Sequence, residues 1–97
     1  MKPNERIYLM VDIDRRGYGR RYSMLMVDQI SREGFEIDFQ NAYMRSDQFD
    51  ICPDDVVRWR DGERFTEAII ETVHVEPQWL RVRFREAHPL TAEQYYA

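Results

Sequence analysis

Apolar positions recur with a period of two over most of this chain, and that period predicts strands. In "RIYLMVDID", Ile7, Leu9, Val11 and Ile13 fall on one face, with Tyr8, Met10 and Asp12 opposite. "RYSMLMVDQIS" is apolar on both faces, the pattern of a central or barrel strand. Between these two lies "DRRGYGRRY", whose Gly17 and Gly19 can supply the positive φ that a tight reversal needs. "GFEIDFQ" turns Phe35, Ile37 and Phe39 inward and Glu36 and Asp38 outward, as in a half-buried antiparallel strand.

"VVRWR" and "RFTEAIIETVHVE" flank "DGE", and Asp-Gly is a strong hairpin signal. "PQ" then leads into "WLRVRFRE", where Leu80, Val82 and Phe84 alternate with Arg81, Arg83 and Arg85. Residues 41–55 break the pattern, and "CPDD" reads as a turn. Near the end, Thr91 and Gln94 have capping-box spacing, which predicts a short helix or turn. The sum is about six strands joined by short turns, with little helix to cover their faces. Closing such a sheet on itself covers one face and removes exposed edges. The expected fold class is therefore all-β, a small six-stranded antiparallel barrel with a short C-terminal helix or turn. Residues 1–97 would form one domain, with a barrel core over about 5–86 and a tail over 87–97.

Composition narrows the class of function. Hydrophobic residues at 43% and charged residues at 33% suit a globular domain rather than a disordered chain. A net charge of −4 argues against duplex DNA as a partner, which calls for a broad basic surface. Cys52 is the sole cysteine, so no internal disulfide framework is available and a reducing, cytoplasmic setting is expected. With only His74 and His88 beside it, a zinc centre is not expected. No apolar run reaches the length of a membrane span.

"DQISREG" before "FEI" carries a short motif in which Ser31 and Gly34 are spaced Ser-x-x-Gly at a strand end. It resembles the second signature of PilZ domains, small bacterial barrels that bind cyclic di-GMP, in which Asp or Asn precedes the Ser-x-x-Gly. Gln29 holds that position here. The family's other signature is Arg-x-x-x-Arg, two strands upstream. Arg6 has the matching place, but its partner position is Met10; Arg16 and Arg20 have the mutual spacing, but only one strand separates them from Gln29. The resemblance spans roughly residues 5–86 and implies a ligand site at Arg6, Gln29, Ser31 and Gly34. Losing a forked guanidinium and an acidic acceptor for guanine implies weak or absent cyclic di-GMP binding. The expected function is then a non-catalytic, PilZ-like module that acts through a protein partner in bacterial regulation. One alternative is a true cyclic di-GMP sensor that adds arginines of the 15–21 loop to Arg6, Ser31 and Gly34. Another is a small barrel of phage or accessory-genome origin that blocks or assembles with a larger machine.

The arginine-rich loop has two readings. It is the polar tip of a hairpin, or Arg15, Arg16, Arg20 and Arg21 form a positive knob around Tyr18 that meets an acidic partner. Arg81, Arg83 and Arg85 predict a cross-strand charge ladder with Glu67 and Glu71, or else the wall of a ligand groove. Asp47, Asp50, Asp54 and Asp55 are numerous enough to hold a hard cation, but lack calcium-loop spacing and read as a solvated loop. Trp59 and Trp79 read as core or barrel-mouth anchors. Ser23, Ser31, Cys52, His74 and His88 show no nucleophile–base spacing, so no enzyme activity and no cofactor is expected.

Overall fold

The computed structural model of the chain describes residues 9–40 and 44–96. Seven strands run β1 (Leu9–Arg15), β2 (Gly19–Val27), β3 (Gln29–Ser31), β4 (Gly34–Asp38), β5 (Val56–Asp61), β6 (Arg64–Glu76) and β7 (Trp79–Leu90). A 3-10 turn at Ser46–Gln48 interrupts the long β4–β5 connection, and a short helix, α1 (Ala92–Tyr96), follows β7. The strands form one sheet in the order β2-β1-β5-β6-β7-β4-β3, every neighbour antiparallel.

The all-β expectation holds, but the closed six-stranded barrel does not. The sheet is a seven-stranded open half-barrel with one short C-terminal helix. The extra strand arises because "RYSMLMVDQIS" is two strands, not one. Asp28 interrupts it: its backbone N–H donates to the Glu36 carbonyl at 2.8 Å, and its carboxylate accepts from the Asp38 N–H at 2.6 Å. Before Asp28 the chain pairs with β1, and after it with β4. The two outermost strands are thus consecutive in the chain and joined through one residue.

The alternation predicts the core well. Val11, Ile13, Phe35, Ile37, Phe39, Leu80, Val82 and Phe84 are all buried on the concave side. Trp59 joins them, stacked on Phe84 at 5.2 Å between ring centroids. Ile7 lies outside the described residues. The Asp-Gly signal also holds: Asp61 pairs with Arg64 across a turn in which Gly62 takes φ +61°. At the C-terminus, the Gln94 N–H donates to Thr91 Oγ1 at 3.1 Å and Gln94 Oε1 accepts from the Thr91 N–H at 2.8 Å. This is the reciprocal capping box its spacing predicts.

The β1–β2 pairing departs from simple alternation. Val11 faces Leu25, Ile13 faces Tyr22 and Asp14 faces Arg20, so β2 carries extra residues at two points. Met24 sits at one of them with φ +55°, its N–H donating to Asp12 Oδ1 at 2.8 Å. The bulges let Leu25 and Val27 face the core while Met24 and Met26 both face out. β2 is therefore an edge strand with an exposed apolar face, not a central strand buried on both sides.

Candidate functional site

The arginine-rich loop is the tip of the β1–β2 hairpin, between Arg15 and Gly19. The Tyr18 N–H donates to the Arg15 carbonyl at 3.0 Å, and Gly17 and Gly19 take φ of +82° and +87°. Such angles cost glycine little and other residues much. Arg15, Arg16 and Arg21 line one groove with Tyr18, while Arg20 turns away to Asp12 and Asp14. Arg15 turns inward over the 50–55 loop: Nε donates to Asp55 Oδ1 at 3.0 Å and Nη1 to Asp50 Oδ2 at 2.9 Å. Its Nη2 also reaches Cys52 Sγ at 3.2 Å. Arg21 pairs with Asp50 as well, and Arg20 with Asp14 and Asp12. Among the described residues no carboxylate pairs with Arg16, and Tyr18 is 81% exposed.

These pairs set the charges at the tip. Hydrogen bonds from Arg15, then from Arg21, hold the Asp50 carboxyl down at about 2. Asp55 first, and then Asp50, hold the Arg15 guanidinium above its ordinary range, and Asp14 does the same for Arg20. The positive field expected of four arginines is largely spent within the molecule. Arg20 and Arg21 stay partly exposed within their pairs, Tyr18 protrudes, and Arg16 alone of the four has no carboxylate partner among the described residues.

The Ser-x-x-Gly motif occupies the β3–β4 hairpin at the other end of the sheet. Ser31 and Gly34 are a paired position flanking a two-residue turn, and Ser31 Oγ accepts from the Glu33 N–H at 3.1 Å. A Cβ on Gly34 would lie 1.9 Å from the Val82 carbonyl oxygen, so glycine is needed for β4 to approach β7. Local structure accounts for both motif residues. The register also lines up polar groups across four strands: Gln29, Glu36, Arg81 and His74 in one row, Ser31, Gly34, Arg83 and Thr72 in the next. Gln29, Ser31, Gly34, Arg81 and Arg83 line a groove of about 470 Å³.

The motif residues are not all brought together. Arg6 lies outside the described residues. Met10 lines a different groove, with Asp12 and Tyr95. The 15–21 loop stands at the far end of β2 from Gln29, about 30 Å along a nine-residue strand, so its arginines do not join Ser31 and Gly34 in one site.

The expected ladder of β7 arginines with Glu67 and Glu71 is not formed: the β6–β7 register sets Glu67 opposite His88, and Glu71 falls in the bulge between Ile70 and Thr72. Arg81 instead meets Glu36 of β4 at 3.4 Å and lies over the Trp79 ring at 4.4 Å. Arg85 reaches Asp54 at 2.6 Å, and Glu67 pairs with Arg58 at 2.7 Å. All four loop aspartates are thus paired with arginines, and Asp55 is buried. Asp47 pairs with Arg45 at 3.4 Å. Among the described residues no cluster of three or more His, Cys, Asp or Glu is placed to hold a metal ion, and no helix is long and apolar enough to cross a membrane.

One surface escaped the sequence reading. Met10 and Met26 are cross-strand partners on the convex side of the β1–β2 hairpin, 37% and 56% exposed, with Met24 beside them at 65%. The available signal was the apolar residue on both faces of "SMLMV", which fits a buried strand equally well. Compared with protein-family models, curated proteins and solved structures, the chain matches none, so its function is argued from its own geometry.

Proposed function

We propose that this chain is a non-catalytic binding module that works through a protein partner in the bacterial cytoplasm, with the β1–β2 hairpin as its contact element. One observation carries this reading: four of the seven large hydrophobic side chains exposed among the described residues, Met10, Tyr18, Met24 and Met26, lie on that hairpin. Exposed apolar groups scattered over a surface are ordinary, but their concentration on one projecting element marks an interaction surface. Tyr18 beside Arg16, which has no carboxylate partner among the described residues, adds the residue types that anchor interfaces. The test is affinity capture from cells that make the protein, comparing the natural chain with Tyr18→Ser, Met24→Glu and Arg83→Ser. Loss of the same bound protein from the first two variants, and its retention by the third, is expected. Equal capture by all forms overturns the assignment to the hairpin.

A second reading keeps the PilZ-like expectation: cyclic di-GMP on the groove beside Ser31. It is favoured by Arg81 and Arg83 lining that groove with Gln29, Ser31 and Gly34, since guanidinium forks suit both phosphate oxygens and the guanine edge. Weak binding is expected, tightened by Gln29→Asp by at least about tenfold through a restored acceptor for guanine. Calorimetry on both folded forms decides, and silence from both removes this reading. A small β domain of phage or accessory-genome origin would use the same hairpin face, and the identity of the captured protein separates it from a regulatory module.

A further inference from the structure

The convex face of the sheet is only half covered. Helix α1 lies over β6: the Tyr95 ring stands 4.6 Å and the Tyr96 ring 5.7 Å from the Phe65 ring, and Arg58 Nη1 donates to the Gln94 carbonyl at 3.4 Å. Arg60 faces Phe65 across β5 and β6 and stands one step beyond the Val11–Trp59 pair, beside Met10. Between α1 and the hairpin a groove of about 720 Å³ stays open. Met10 and Met24 line its hairpin side and Tyr95 and Tyr96 its helix side, with Arg60 between. Methionine adapts its shape to varied apolar guests, and tyrosine offers apolar area with a polar rim.

The charges in the groove are unequal. Asp12 is spent: one oxygen accepts from the Met24 N–H at 2.8 Å, the other pairs with Arg20 at 3.3 Å. Arg20 is spent too, on Asp12 and on Asp14 at 2.5 Å. Arg60 differs. Its Nε donates to the Gly62 carbonyl at 2.5 Å and its guanidinium lies over Phe65 at 5.6 Å, but among the described residues no carboxylate pairs with it. The groove thus combines apolar walls with one uncompensated cation.

We infer that this groove takes a segment of a partner protein that presents a Leu, Met or Phe side chain to the methionine–tyrosine walls and a nearby Asp or Glu to Arg60. The inference rests on the binding-module reading and names its site and the chemistry of its guest. Among the residues that line the groove, a basic segment would meet Arg60 and no carboxylate but the already paired Asp12. A nucleic acid, which asks for a run of cations and not one, fits no better.

The test pans a phage-displayed random peptide library against the full chain. A selected peptide is then titrated into protein labelled at its methionine methyls and followed by NMR. Enriched peptides that pair an apolar residue with Asp or Glu, and that shift the Met10 and Met24 methyls, are expected. Arg60→Glu and Met24→Glu should each weaken the peptide at least about tenfold, while Arg60→Lys retains part of the affinity. Both side chains face solvent, and the methyl spectrum of each variant reports that it is folded. Enrichment of basic peptides, no enrichment, or self-association of the chain through this face each overturns the inference. Shifts confined to the hairpin tip or to the Ser31 groove also overturn it. The wider reading stands or falls separately, on whether hairpin variants lose the protein captured from cells.

Discussion

Arg15 and Asp55, forty residues apart, meet fork to fork: Nε to Oδ1 at 3.0 Å and Nη2 to Oδ2 at 3.1 Å. Asp55 is 2% exposed and also accepts from the Cys52 N–H at 2.9 Å. The pair fastens the irregular loop before β5 to the end of β1. Asp50 still compensates Arg15 when Asp55 is removed, but the fork and the acceptor of the Cys52 N–H are lost, so Asp55→Ala should cost about 2 kcal/mol in urea unfolding. A loss close to that of an ordinary surface change would show that the loop is held by something else.

Asp50 makes the same junction sensitive to acid. Its carboxyl is lowered from 3.8 to about 2 by Arg15 and Arg21. A group lowered on folding contributes stability above its unfolded value and loses it as pH falls through its folded value. The contribution is therefore whole above about pH 4 and gone below about pH 2. The stability difference between the natural chain and Asp50→Asn should be constant near neutrality and shrink to nothing across that window. A difference that widens on acidification would reverse the sign of the argument.

Gly34 is predicted to matter for folding. An added Cβ would meet the Val82 carbonyl at 1.9 Å, and backbone cannot yield as a flexible side chain can. Gly34→Ala should destabilise by about 2 kcal/mol, within the range for overpacking. Ser31→Ala, which removes one exposed hydrogen bond to Glu33, should cost under about 1 kcal/mol. Equal and negligible effects would mean that β4 and β7 are less tightly apposed.

At the hairpin tip, stability and binding should separate. Among the described residues neither the Arg16 nor the Tyr18 side chain makes a hydrogen bond or ion pair, so Arg16→Ser and Tyr18→Ser should each cost no more than about 0.5 kcal/mol in urea unfolding. Partner association should slow in Arg16→Ser and lose part of its dependence on salt. Unchanged association kinetics in both variants would take the tip out of the interface.

Much of the fold was legible because period two reads directly as burial. Phe35, Ile37 and Phe39, or Leu80, Val82 and Phe84, needed no knowledge of their neighbours. The capping box at Thr91 and Gln94 is local in the same way. Three features were not local. The break at Asp28 depends on β4, to which its N–H and carboxylate bond. The partners of Arg15 are far along the chain, so a run of arginines looked like one exposed charge. The bulge at Met24 shifts the period, which hid an exposed methionine face inside an apolar run. For the candidate site, Ser31 and Gly34 were visible as a motif, while Arg81 and Arg83 enter its groove only through the β4–β7 register.

The most direct measurement places a photo-crosslinking amino acid at position 18, and separately at position 33, in cells that make the protein. Position 18 caps the β1–β2 hairpin, and position 33 lines the groove beside Ser31. Binding through the hairpin predicts one dominant protein adduct at position 18 that is absent at position 33. No adduct at 18, or one formed only at 33, would contradict it.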